Sequence, residues 1–281
     1  MHPKILITGA NGYLGEGVVK ALLNCGVAVI ATGHSSEFID KRATIKECDL
    51  FSVENPFEYF DEPNAIVHLA WKDGFKHDSL AHINNLSKHY AFLTKLIDSG
   101  IEQVCVLGSM HEVGFYEGCI NANTPCNPQS LYGIAKNALR QSIQIHQNTK
   151  GFVFQWIRGF YIVGNTERGC SIFSKITEAA KEGKKTFPFT QGLNQFDFID
   201  YEEFCSQIAS VAMQTKINGI INCCSGRPEK LSDRVERYIK ESGYNISLQY
   251  GAFPDRPYDS KAVWGDDAKI RQILANCGNK K

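Results

Sequence analysis

The sequence carries no surplus charge: lysine plus arginine and aspartate plus glutamate each number 30 in 281 residues. That balance offers no net field to draw in a nucleic acid or an anionic membrane, so neither is expected as a partner. No stretch approaches the roughly 20 apolar residues that a bilayer-crossing helix requires. The opening MHPKILITGA breaks its apolar run at glycine and shows neither the hydrophobic region nor the cleavage site of a signal peptide. Ten cysteines are present, but none forms a CxxC pair or stands at zinc-binding spacing to histidine. Scattered mostly through apolar runs, they are expected as reduced, largely buried thiols of a cytoplasmic protein, with no metal centre. Linker-like stretches, low-complexity segments and internal repeats are missing as well.

What is present is material for a large core, 43% of the chain being hydrophobic. KILIT, VAVIAT, AIVHLA, QVCVLGS and FVFQWIR read as buried strands, and ATIKECDL as a weaker one. Between them, helical patterns fall at residues 13–24, 53–60, 80–99 and 129–147. This strand-helix alternation predicts a parallel sheet with helices on both faces. Beyond Gly164 the order loosens, with short strands around Phe187, Phe196 and Ile220 among helices at 172–182, 202–214, 231–242 and 266–275. The fold class is therefore α/β, a Rossmann-type doubly wound parallel sheet over 1–165. A smaller C-terminal α/β substrate lobe covers 166–281, with some segments of 196–223 rejoining the main sheet.

The first strand runs into TGANGYLG, where Gly9, Gly12 and Gly15 stand at the opening of a helix. Glycines there let the backbone approach a pyrophosphate, and free amides at the helix N-terminus attract its charge. The strand VAVIAT should end beside the adenosine ribose, where an acidic residue normally selects NAD. Here the stretch is Gly33, His34, Ser35 and Ser36, with no carboxylate before Glu37. It leaves room for a 2'-phosphate, with Lys41 or Arg42 as further help, so NADP(H) is favoured and NAD(H) is the alternative.

Tyr132 and Lys136, in SLYGIAKNALRQ, are four residues apart on a predicted helix and share a face. A phenol of ordinary pKa near 10 must fall by roughly 3 units to ionise at neutral pH, about 4 kcal/mol of preference for the phenolate. A neighbouring lysine, a nicotinamide ring and burial would supply that together.

TGANGYLG, Asp49 in CDL, His68-Leu69-Ala70, Asn85, the LGS ending at Ser109 and the Tyr132/Lys136 pair follow one another in an order that resembles the extended short-chain dehydrogenases/reductases. Within them the likeness is to the NAD-dependent epimerase/dehydratase branch, which modifies nucleotide sugars. IRGFYIVG, FDFID, INCCSGRP and RPYDSKAVWGDDAKIRQIL extend it over nearly the whole chain. The resemblance implies that Tyr132 is the general acid/base, that Lys136 bonds the nicotinamide ribose and lowers the tyrosine pKa, and that Ser109 bonds the reacting oxygen. It assigns the cofactor the turn of Gly9, Asn11, Gly12, Tyr13, Leu14 and Gly15, then His34 and Ser35, Asp49 and Leu50 beside the adenine, and Leu69 and Ala70. Asn85 would support a network near the lysine, while His68 reads as a packed strand residue.

Three departures narrow the chemistry. Sugar dehydratases carry Thr-Asp-Glu where this chain has Met110-His111-Glu112, so dehydration loses its acid, and His111 stands as a second proton donor or a substrate-shaping residue. Phe196 replaces an arginine that in relatives grips the substrate diphosphate, which leaves Arg256 as the main anchor, ahead of Arg227 and Arg168. Gly159 replaces the usual proline after Arg158. With no dehydratase acid and no NAD-selecting carboxylate before Glu37, the resemblance implies an NADPH-dependent reductase that delivers hydride to a keto group, at C4, of a nucleotide-linked 6-deoxyhexose, giving a deoxysugar donor for polysaccharide. The alternatives are an NAD-dependent nucleotide-sugar 4-epimerase and a non-catalytic dinucleotide sensor. A homodimer is expected through the 80–99 and 129–147 helices, with Phe92, Leu96, Leu139 and Ile143 serving that contact or the core.

Overall fold

A computed structural model describes residues 3–254 and 260–278. The apolar runs form a seven-stranded, all-parallel sheet. Its strands are β1 (Lys4–Thr8), β2 (Ala28–Gly33), β3 (Thr44–Glu47), β4 (Ala65–His68), β5 (Gln103–Ser109), β7 (Val153–Gly159) and β11 (Gly219–Cys223). In space they run β11-β7-β5-β4-β1-β2-β3, so the order reverses between β1 and β4, and the crevice at the carboxyl ends of those two strands is where such a sheet takes ligands.

Period-two alternation decides which side chain meets which layer. Ile5, Ile7 and Val67 point to one face and meet α1 (Gly15–Asn24), α6 (Tyr201–Ala212) and α8 (Ala268–Gly278) through Val18, Leu22, Phe204, Ile208 and Ile273. Leu6, Ile66, Val104 and Val106 point to the other, against α3 (Ala81–Asp98) and α4 (Leu131–Lys150). Phe92, Leu96, Leu139 and Ile143, weighed above as dimer contacts, are the fully buried seam of this second layer. The large apolar residues those two helices leave outward are Ile83, Ile134 and Ile145.

The helix expected over 53–60 shrinks to the single turn α2 (Pro56–Tyr59), because Pro56 fits the first turn of a helix but not its interior. A second sheet joins β6 (Gly118–Ile120), β8 (Tyr161–Val163), β10 (Gln195–Asp200), β12 (Pro228–Lys230) and β14 (Ala262–Gly265). It covers a third cluster with α5 (Ile172–Lys181) and α7 (Leu231–Glu241), including Phe173, Ile176, Val235 and Ile239. A short pair, β9 (Thr186–Pro188) and β13 (Ser247–Gln249), completes it. All ten cysteines are free thiols, but only Cys105, Cys205, Cys223 and Cys224 are buried, fewer than their apolar settings suggest, and Cys25 and Cys170 are exposed. Among the described residues, no helix is long and apolar enough to cross a membrane.

Candidate functional site

β1 ends in a turn that only glycine fits. Gly9 has φ of +68°, and a Cβ there would lie 2.7 Å from the Ala70 amide nitrogen, while one on Gly15 would lie 2.1 Å from Gly9 O. The Gly12 amide donates to Gly9 O at 2.9 Å. α1 starts without a side-chain cap at Leu14; the Glu16 amide donates to Gly12 O at 3.3 Å and the Gly17 amide to the Tyr201 hydroxyl at 3.1 Å, so the backbone of the glycine turn ahead of them is what faces a ligand. This cradle fits a dinucleotide pyrophosphate. Asn11 ties it to the far side of the crevice, donating to Ser35 Oγ at 2.7 Å and accepting from the Phe38 amide at 2.8 Å. His34 and Ser35 are exposed beyond β2.

Other residues of the expected cofactor set are engaged elsewhere. The Tyr13 hydroxyl donates to Gly164 O at 2.9 Å, and burial pushes its pKa up. Leu14 packs against the first core layer. Asp49 caps a 3-10 turn, accepting from the Phe51 amide at 3.1 Å, with Leu50 buried behind it. Leu69 is buried, and the Ala70 amide donates to Thr8 Oγ1 at 3.3 Å. Arg42, expected to help a 2'-phosphate, is held instead by Asp40 at 2.7 Å and Asn24 at 3.0 Å. Arg168, weighed above as a substrate anchor, lies at the glycine turn, donating to Glu16 at 2.8 Å and Asn11 O at 2.5 Å, and stacked 3.8 Å over Phe38.

Tyr132 and Lys136 ride on α4, capped by Ser130 Oγ, which accepts from the Gly133 amide at 3.2 Å. Lys136 is 1% exposed; its Nζ donates to Leu107 O at 2.7 Å and sits 3.8 Å above the Trp71 ring. Desolvation pulls its pKa from 10.5 to about 7, and Glu112 opposes the fall. Ser109, at the end of β5, accepts the His111 amide at 3.2 Å through its side chain and lies near enough to Tyr132 to act on the phenol's ionisation. Burial, then the charge of Glu112, holds the phenol well above its ordinary pKa, and Ser109 pulls the other way. The expected depression of the phenol by Lys136 is not seen: Lys136 Nζ stands 5.9 Å from the Tyr132 ring.

Around the phenol lie groups that sequence reasoning passed over. The His77 ring is parallel to Tyr132, at 5.2 Å and 8°, and its backbone carbonyl accepts from the Tyr132 amide at 2.9 Å. His82 and Trp71 approach the same ring, at 5.2 and 6.3 Å. The signal was the crowding of Trp71, His77 and His82 into twelve residues after β4. His111 lies 4.3 Å from His77, and burial lowers its pKa to about 4, so at neutral pH it is an uncharged imidazole and a poor acid. His68 is packed as expected, paired with Thr8 at 2.8 Å and with His89 at 2.9 Å. Asn85 is half-buried and makes no side-chain hydrogen bond among the described residues.

Glu112, at the position of the dehydratase base, turns away from the pocket. It is fully buried, accepts from the Ser109 amide at 2.6 Å and from Trp156 Nε1, and stands 3.6 Å from Arg158. Gly159 is explained by Phe204, whose ring would lie 3.0 Å from any Cβ there. Phe196 packs on Tyr161 at 4.5 Å, filling with apolar core the place of the missing arginine. Arg227 is exposed, and Arg256 lies outside the described residues.

A family model described as the NAD dependent epimerase/dehydratase family matches residues 5–224. The chain is 42% identical over 267 residues to a protein of Aggregatibacter actinomycetemcomitans named dTDP-6-deoxy-L-talose 4-dehydrogenase (NAD(+)), covering 93% of this chain and 98% of that one. It is 22% identical to a UDP-glucose 4-epimerase of Lactobacillus helveticus, over 96% of this chain and 91% of the other. Among solved structures, a UDP-N-acetylglucosamine 4-epimerase from Methanobrevibacter ruminantium M1 superposes with a TM-score of 0.82 at 17% identity, covering 100% of this chain and 99% of the other. A UDP-glucuronic acid 4-epimerase from Bacillus cereus, in complex with UDP-glucuronic acid and NAD, does so at 0.79 and 20%, covering 97% and 93%.

Proposed function

The chain belongs to the NAD dependent epimerase/dehydratase family, and within it we propose an oxidoreductase that interconverts the 4-keto and 4-hydroxyl forms of a dTDP-linked 6-deoxyhexose, favouring reduction, with NAD(H). The observation that carries this reading is the Ser109-Tyr132-Lys136 constellation, in which the phenol keeps its proton. A protonated phenol suits a donor to a developing alkoxide, and an elimination would need a base where Glu112 is spent on the core. The name of the 42% identical relative supports both the C4 position and the dTDP-sugar class. That name, and the engagement of Arg42 with Asp40, favour NAD(H) over the NADP(H) expected from the ribose end.

When bound, the nicotinamide supplies or accepts the hydride. Gly9, Gly12 and Gly15 would hold the pyrophosphate and Lys136 the ribose next to the ring. Ser109 holds the carbonyl oxygen and Tyr132 gives it the proton, so charge is neutralised as it forms. Exposed Ile83, Ile134 and Ile145 on α3 and α4 support pairing with a second copy. The test mixes the protein with a dTDP-4-keto-6-deoxyhexose and either NADH or NADPH and follows absorbance at 340 nm. Faster oxidation of NADH is expected. Exchange of C4 configuration without net consumption of either cofactor would replace this reading with an epimerase.

A further inference from the structure

Lys136 is buried, yet among the described residues no carboxylate meets it. Nζ donates to Leu107 O at 2.7 Å, and Glu112, whose charge reaches it, has its oxygens taken up by the Ser109 amide and Trp156. Tyr132 on its own helix is an uncharged phenol, and His68 from β4 and His89 from α3 are imidazoles that oppose a positive charge. What remains is a face: Nζ stands 3.8 Å from the centre of the Trp71 indole. Two neighbours hold that indole in place, one of them itself anchored by a backbone carbonyl. Its Nε1 donates to His82 Nδ1 at 3.0 Å, His82 Nε2 donates in turn to Lys76 O at 2.9 Å, and His89 lies parallel to the ring at 4.4 Å and 14°.

We propose that Trp71 is a positioning residue whose indole face takes the place of a counter-ion, keeping Lys136 charged and fixed one turn from Tyr132. The negative face of an aromatic ring attracts a cation most strongly where water is excluded, as it is here. Its consequence for turnover rests on the hydride-transfer reading above; its effect on Lys136 itself does not. A contact of this strength moves the ionisation midpoint by ~1 pH unit or more.

The test uses the cofactor-free protein carrying lysine labelled with 13C at Cε, the Lys136 signal being identified by its loss in Lys136→Met. The NMR midpoint should lie near 7 in the natural protein, ~1 pH unit lower in Trp71→Leu, and between the two in Trp71→Phe, which keeps a weaker aromatic face. One midpoint common to all three overturns the proposal. In turnover, a shift of ~1 unit makes Trp71→Leu slower by about eightfold at pH 7.5 but only about twofold at pH 6, with Trp71→Phe in between. A deficit equal at both pH values also overturns it, since that marks a purely structural role. If the natural protein reduces no dTDP-4-keto sugar, the functional reading fails while the NMR midpoints still decide this one.

Discussion

Glu112 and Trp156 are locked together: the indole Nε1 donates to both carboxylate oxygens, at 2.8 and 2.9 Å. The pairing fixes the start of the 3-10 turn that follows Ser109, since the same carboxylate accepts the Ser109 amide. It places a fully buried charge beside Arg158 and Arg140, at 3.6 and 3.8 Å. Glu112→Ala strands those cations, and urea unfolding should show a loss of roughly 3–5 kcal/mol. With Glu112 spent on this pairing, product formed in deuterated water should carry no deuterium at C5.

Tyr132→Phe removes the proposed proton donor and leaves the ring stacked on His77. Reduction should slow by about 10²–10⁴-fold while NADH binding, followed by its fluorescence, stays within about twofold of the natural protein.

Lys136 trades stability for function. Its folded-state pKa of about 7 lies below its ordinary 10.5, so between those values the unfolded chain binds more protons and stability rises with pH. Lys136→Met should therefore abolish turnover yet stabilise the fold by roughly 1–2 kcal/mol at pH 7. The gain should shrink as pH climbs towards 10.5, as thermal midpoints measured across that range will check.

The buried imidazoles make the protein acid-sensitive. Desolvation holds His89 at about 3, His111 at about 4 and His68 well below its ordinary range. Below pH 6.5 the unfolded chain takes up protons that the folded one refuses, so stability falls as pH drops. His89→Phe keeps a ring against Trp71 and should flatten that fall by about 1.4 kcal/mol per pH unit between pH 6 and 4, read from urea midpoints.

Gly15→Ala drives a methyl to 2.1 Å from Gly9 O. The glycine turn must then open, and calorimetric titration with NADH should show affinity lost by at least about tenfold.

The main sheet was legible because its strands are apolar runs of four to seven residues, long enough for period-two alternation to separate Leu6 from Ile5 and Ile7. The smaller sheet was largely not, since β6, β8 and β12 are three residues long and carry no period at all. At the site, Tyr132 and Lys136 came from helical spacing and Ser109 from its place at a strand end. Trp71, His77 and His82 did not, because they meet Tyr132 only through the path of the loop after β4, held to α4 by the Tyr132 amide. Arg42 misled for a related reason: an exposed cation beside the ribose looks free until Asp40, two residues before it, is seen to claim it.

The smaller sheet draws its strands from both sides of α4 in the chain, pairing Gly118–Ile120 with Ala262–Gly265 and then with Gln195–Asp200. Meanwhile Gly219–Cys223 closes the edge of the larger one. Nature's chain thus offers no single scissor point: a fragment ending at 165 would lose an edge strand from one sheet and orphan Gly118–Ile120 from the other. Grafting a different sugar preference onto this catalytic base means transplanting several interleaved stretches together, not exchanging one C-terminal half.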